Sequence, residues 1–187
     1  NLYNGTSGTE LKGKKLGIHA FGQVGRNVAR IAKGFGMEVF AFDPYCPASV
    51  MEAEGVKPIT DINELYSTCQ YVSLHIPATN ETKKSINYAL LKQMPKGAML
   101  INTARKEVIN EEELVQIMDE RPDFRYVSDI TPDNASVFAE KFTGRYFFTP
   151  KKMGAQTAEA NINAGIAAAK QSVGFLKEGI DKFKVNK

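Results

Sequence analysis

The chain of 187 residues contains no tryptophan, only two cysteines and two histidines, and Lys and Arg (24) nearly balance Asp and Glu (21). Each scarcity removes a class of function. No apolar run approaches the ~18 residues that a membrane-spanning helix needs, so no membrane partner is expected. The formal charge of +3 is spread along the chain, which gives little electrostatic reason to bind nucleic acid. Cys46 and Cys69 lie far apart, with no CxxC and no Cys/His cluster. That pattern speaks against a zinc site or a disulfide scaffold and fits a reducing cytosol, so the expected location is cytoplasmic. The first residue is Asn1, and no basic stretch followed by an apolar one comes after it. No targeting segment is read there, and the sequence is expected to be a piece of a longer polypeptide.

Short apolar runs are plentiful: KKLGIHAF (14–21), MEVFAF (37–42), YVSLHI (71–76), AMLINT (98–103), FRYVSDI (124–130) and RYFFTP (145–150). Their lack of alternation predicts strands buried on both faces. Helical signals fill the gaps at 23–35 (closed by Gly36), 61–68, 87–94 (stopped by Pro95) and 110–120 (stopped by Pro122). Asn110 is a candidate N-cap, with Glu111, Glu112 and Glu113 at the positive end of the helix dipole. Strand and helix alternate, which predicts an α/β fold with a doubly wound parallel sheet. Turn-rich tracts are confined to 1–10 and 132–136. A last helix is read over 157–177, where Ile162, Ile166, Ala169, Val173 and Leu176 form a stripe suited to a core-facing or interdomain seam. The tail 183–187 reads as an extended exit.

Directly after the first strand comes AFGQVG (20–25), and the second strand ends at Asp43. A phosphate-binding strand-to-helix turn needs a tight bend, a Gly where backbone meets pyrophosphate, and a Gly for close helix packing. Gly22 and Gly25 supply the last two, with Gln23 and Val24 between them, while Ala20 replaces the first glycine of the pattern. An acid ending strand two accepts hydrogen bonds from a ribose diol and repels a 2′-phosphate, so Asp43 favours NAD over NADP. S-adenosylmethionine binding shares the layout and is the rival on these residues alone.

Three later stretches, LHIPATNET (74–82), INTARKEVINEEEL (101–114) and TPKKMGAQTAEANINAG (149–165), together with ELKGKKLGIHAFGQVGRNVA and FDPY, resemble successive signatures of the D-2-hydroxyacid dehydrogenases. They cover nearly the whole chain in the family order. The resemblance implies a Rossmann NAD-binding domain over 1–187, with a hinge at its start, an interdomain helix at its end, and the first half of a substrate domain outside the chain. It implies NAD as cofactor and a small-molecule substrate, with the nearest likeness to the branch acting on a phosphorylated 2-hydroxyacid. Another D-2-hydroxyacid such as glycerate is the runner-up, and a homodimer is expected from the family.

By position, the resemblance makes Arg105 the residue that binds the substrate carboxylate and polarises its keto oxygen. A guanidinium suits both tasks, being a planar, permanently charged fork. Asp129 matches the acid near the nicotinamide carboxamide. His75, Ile76, Pro77 and Thr82 match the loop that passes the cofactor, and Thr103, Ala104, Gly154 and Ala155 complete the cofactor contacts. No metal site is implied.

The pattern breaks at the acid/base. The family motif TPHxGA reads TPKKMGA here. Anchoring on Gly154 and Ala155 puts Lys152 in the histidine's place; anchoring on Thr149 and Pro150 would choose Lys151. The partner glutamate falls at Asn134, beside Asp133. The joint loss has a chemical logic, because an imidazole base needs a carboxylate to fix its tautomer and an ammonium does not. An ordinary lysine, with pKa about 10.4, is a poor base at neutral pH, so the role calls for desolvation and neighbouring positive charge. The competing expectation is a non-catalytic NAD-sensing module.

Overall fold

The computed structural model describes residues 8–152, 154 and 156–182. By contact, residues 1–151 and residues 152–187 form two compact units.

In the first unit seven strands form one parallel sheet in the order β3-β2-β1-β4-β5-β6-β7. They are β1 (Lys15–His19), β2 (Glu38–Phe42), β3 (Lys57–Pro58), β4 (Tyr71–Leu74), β5 (Met99–Asn102), β6 (Arg125–Ser128) and β7 (Tyr146–Phe148). The doubly wound parallel sheet read from the sequence is therefore present. The order reverses between β1 and β4, and in such sheets this is where ligands bind, beyond the carboxyl ends of the strands.

Two apolar clusters cover the sheet. In one, α1 (Gln23–Gly34) and α2 (Ala48–Ala53) contribute Ala29, Ala32 and Met51 against Leu16, Ile18, Val39 and Ala41. In the other, α3 (Ile62–Thr68), α4 (Tyr88–Leu91), α5 (Glu111–Glu120) and α6 (Ala135–Lys141) contribute Leu65, Tyr66, Leu91, Leu114 and Phe138 against Val72, Leu74 and Leu100. The cap read from sequence holds at Asn110, whose side chain accepts from the Glu113 N–H, with three glutamates in the first turn of α5. Cys69 is buried, its thiol pushed up to about 12 by that burial, and both cysteines are free.

Several details differ from expectation. Only β1 and β4 are buried nearly throughout; β2, β5 and β6 alternate, and no residue of β7 is buried. Burial on both faces requires a helix layer on each, and the described helices of this unit supply both layers only at the centre of the sheet. Helix α4 is a single turn, after which residues 92–94 tighten into turns, and α2, β3 and α6 had no clear periodic signal. Helix α6 starts inside the tract read as turns, immediately after Asn134.

The second unit is α7 (Ala158–Glu178), capped by the Thr157 hydroxyl and ended by Gly179 in the left-handed conformation. Its apolar stripe faces no core: Ile162, Ile166, Val173 and Leu176 are all exposed, and none of its residues is buried. A lone helix has no second layer within its own unit to bury a stripe against. The expected tail at 183–187 and the first residues of the 1–10 tract lie outside the described residues.

Candidate functional site

Strand register aligns the carboxyl ends of the sheet. His19 is opposite Phe42 and Leu74, Leu74 opposite Asn102, Asn102 opposite Ser128, and Ser128 opposite Phe148. The residues singled out in the first unit follow this row: residues 20–25 after β1, Asp43 after β2, residues 75–77 after β4, residues 103–105 after β5 and Asp129 after β6.

The β1–α1 turn explains its own sequence. Ala20 has φ +79, so the first motif position needs the left-handed conformation, which a side chain bears at a cost of about 1–2 kcal/mol. At Gly25 a Cβ would stand 2.4 Å from the Ala20 carbonyl oxygen, closer than atoms can approach. Gly22, in contrast, has open space where a Cβ would point. It is the N-cap of α1, no side chain caps that end, and no acid occupies the first turn formed by Gln23, Val24 and Gly25. A helix start of this kind presents backbone N–H groups and a positive dipole to an anion.

Asp43 is anchored at both oxygens. Oδ2 accepts from the Phe21 N–H at 2.8 Å and Oδ1 from the Tyr45 N–H at 2.8 Å. Each carboxylate oxygen has a second lone pair for a ligand hydroxyl. The carboxylate stands on the rim of a cleft of about 470 Å³ lined by His19, Phe42, Ile62, Ile76, Pro77 and Leu90, with Thr82 at its side. An apolar slot with a fixed carboxylate on its rim can take a flat base and a diol.

The loop after β4 is tied to this cleft. The His75 N–H donates to the His19 carbonyl at 2.9 Å, and its Nε2 lies 3.0 Å from the Ser73 hydroxyl. Thr82 donates to the Pro77 carbonyl at 2.5 Å while accepting from the Thr79 N–H, which closes the turn. Burial lowers the pKa of both histidines to about 4; for His19 the Asp43 charge opposes that shift and His75 adds to it. Both rings are therefore neutral at pH 7.

Beyond β5, Thr103, Ala104 and Arg105 form a turn built by Asn102, which the sequence reading did not single out. Its fully buried side chain accepts from the Ala104 N–H at 3.0 Å and donates to the Arg105 carbonyl at 2.9 Å. A buried amide at a strand end must find partners for all its polar atoms, and that requirement was the available signal. Arg105 is exposed, its Nη1 donating to the Ala104 carbonyl at 2.9 Å. Ile62, Phe42 and Leu90 in the cleft were missed as well, since ordinary apolar residues carry no motif.

After β6, the Asp129 N–H donates to the Asn102 carbonyl at 3.2 Å. The position of the lost glutamate is turned toward α5: Asn134 donates from its backbone N–H and its Nδ2 to Glu111, both at 3.2 Å. Its neighbour Asp133 pairs with Lys106 at 2.6 Å. Lys152 and Gly154 belong to the second unit and are exposed there, and Ala155 lies outside the described residues. Among the described residues no group of three His, Cys, Asp or Glu could hold a metal ion, and no helix is long and apolar enough to cross a membrane.

Residues 2–146 match the model of the D-isomer specific 2-hydroxyacid dehydrogenase NAD-binding domain. The chain belongs to this family. Similar members include D-3-phosphoglycerate dehydrogenase 2 of Arabidopsis thaliana, 38% identical over 96% of the chain and 29% of that protein. The D-3-phosphoglycerate dehydrogenase of Methanocaldococcus jannaschii is 34% identical over 96% of the chain and 34% of that protein. The chain thus spans about a third of the length of these curated relatives. Among solved structures, the NAD-bound 3-phosphoglycerate dehydrogenase of Entamoeba histolytica is 47% identical, with a TM-score of 0.86 over 97% of this chain and 58% of that one. The D-lactate dehydrogenase of Escherichia coli is 29% identical, with a TM-score of 0.76 over 94% of this chain and 55% of that one. The cofactor of this 2-hydroxyacid dehydrogenase domain is NAD. The residues present fit it: Gly22 leaves the uncapped start of α1 open beside the carboxylate-rimmed cleft, and Gly25 lets the helix pack close against the turn.

Proposed function

We propose that the chain is the NAD-binding part of a D-3-phosphoglycerate dehydrogenase, which oxidises 3-phospho-D-glycerate to 3-phosphohydroxypyruvate on the route to L-serine. The observation that carries the proposal is the carboxyl edge of the sheet. It holds an anchored diol acceptor, Asp43, on one side of the β1–β4 reversal and the Arg105 turn on the other. The likeness to phosphoglycerate dehydrogenases supports the phosphorylated substrate. In this proposal the substrate-binding elements and the contacts to the phosphate lie on a separate domain, and the whole enzyme is a cytoplasmic homodimer.

NAD, when bound, supplies the acceptor for the hydride leaving C2 of the substrate. The chain's own residues do the rest. Backbone N–H groups of residues 22–25 bind the pyrophosphate, and Asp43 accepts from the ribose hydroxyls. Ile76, Pro77 and Thr82 wall the adenosine cleft. His75, Thr103, Ala104, Asp129, Gly154 and Ala155 frame the nicotinamide end. Arg105 orients the substrate through its carboxylate and draws electron density from the C2 oxygen as that carbon becomes a ketone. Lys152 takes the C2 hydroxyl proton as the hydride leaves, and in the reverse direction it returns that proton. No carboxylate partner is needed, consistent with Asn134 being committed to Glu111.

The test is Lys152→Met in the whole enzyme, assayed by NADH formation from 3-phospho-D-glycerate, glycerate and other D-2-hydroxyacids. Turnover should fall at least ~100-fold with NAD affinity unchanged. Near-normal turnover rejects Lys152 and moves the assignment to Lys151. Preference for glycerate in the unmodified enzyme would replace the substrate. NADH formation from none of the acids would favour the alternative of an NAD-sensing module, which the absent histidine and glutamate make worth testing.

A further inference from the structure

We propose that Arg26, in α1 just beyond the nucleotide motif, is a positioning residue that holds Phe21, by its carbonyl and its ring, in the orientation that Asp43 requires of the Phe21 N–H. The proposal rests on Asp43 being the ribose acceptor. Phe21 is the residue through which the β1–α1 turn grips that carboxylate: the N–H of its peptide with Ala20 donates to Asp43 Oδ2 at 2.8 Å. Its carbonyl accepts from Arg26 Nε at 3.3 Å, so both polar ends of one residue are held. The guanidinium also lies over the buried Phe21 ring, 5.6 Å from its centroid. Its remaining nitrogens extend away from the turn. Nη2 is 4.0 Å from Cys46 Sγ in the loop after Asp43, and Nη1 is 3.4 Å from Glu54 Oε1 just beyond α2. One planar fork therefore joins the phosphate turn to both ends of the α2 segment.

The turn needs such a hold. Ala20, next to Phe21, carries the unfavourable left-handed backbone, so the native peptide orientation competes with relaxed ones. If Phe21 loses its hold on the carbonyl side, its backbone can turn about Cα, the Ala20–Phe21 N–H leaves Asp43, and the carboxylate loses the contact that fixes which lone pairs face the cleft. Lysine cannot replace the arginine, because a single ammonium cannot reach the Phe21 carbonyl, Cys46 and Glu54 together.

Two measurements on the 187-residue chain decide the matter. In the ligand-free protein, Arg26→Met should speed hydrogen exchange at the Phe21 amide at least ~10-fold, with Arg26→Lys behaving alike. By calorimetry, Arg26→Met should weaken ADP-ribose binding about tenfold in the wild-type background and less than about twofold when Asp43 is already Asn. Should Arg26→Met fail to fold, Arg26→Lys carries both measurements. Unchanged Phe21 exchange in a folded variant overturns the proposal. So does an equal loss of affinity in both backgrounds, which would mean that Arg26 touches the ligand itself. A wild-type chain that does not bind ADP-ribose overturns the nucleotide reading first, whereas wild-type binding with unchanged exchange counts against Arg26 alone.

Discussion

Ala20 shows how one residue can break a motif and still reveal why the motif exists. Its φ of +79 is the conformation for which glycine has no Cβ penalty. Ala20→Gly should therefore raise stability by about 1 kcal/mol, the relief of left-handed strain less the entropy gained by the unfolded chain. A thermal melt showing no gain would mean that the strain is relieved elsewhere. His19 sets a pH dependence at the same strand end. Its folded pKa of about 4 lies below the ordinary 6.5, so the unfolded chain binds the proton more readily than the fold does. Stability is then complete above pH 6.5 and declines as pH falls toward 4, by about 3 kcal/mol for this one buried ring. His75 adds a decline of the same sign. Denaturant melts from pH 7 to 4 should show the loss, and His19→Leu should remove roughly half of it; an unchanged slope would assign the effect to other groups.

At the level of elements, the turn after β5 hangs on the Asn102 side chain. Asn102→Ala leaves the Ala104 N–H and the Arg105 carbonyl without their partner in a partly buried turn. The expected cost is about 2 kcal/mol in stability. In the whole enzyme it should raise KM for the substrate and weaken NAD binding together, because the one turn carries Arg105 and the proposed cofactor contacts Thr103 and Ala104; unchanged NAD affinity would remove those two residues from the cofactor site. Asn102 also marks where the sequence stopped being legible. The longer strands, the glycine turn before α1 and the Asn110 cap were readable because hydrophobic period, glycine spacing and cap chemistry are local. Asn110 caps α5 by accepting a backbone N–H, and Asp61 does the same for α3. β3, with two residues, and α6, which begins in a turn-forming tract, had too little local signal. Asn102 and Arg26 act through partners that only folding brings near. The apolar stripe of α7 was legible as a stripe, but a helical period says nothing about what it faces.

For the whole molecule, the 187 residues should bind NAD without turning over substrate, since the proposal puts the substrate-binding elements on another domain. NAD at about a hundred times its Kd should stabilise the chain by about 2.7 kcal/mol, a rise of roughly 5–10 °C in Tm. A melt indifferent to NAD would contradict binding by this chain. The strand order has a further consequence, for folding and synthesis. Of the seven strands β1 is made first yet lies inside the sheet, with β2 along one of its edges and the much later β4 along the other. The Leu16 to Tyr71 pairing is a long-range contact, closed only after the chain between them has been ordered, and such contacts form slowly. A ribosome that has released β1, α1 and β2 has already made the glycine turn and Asp43, but the His75 N–H that completes the hydrogen bonding of the His19 carbonyl does not yet exist. A chain stalled before β4 would expose one bare edge of β1, an inner strand, to any other strand nearby.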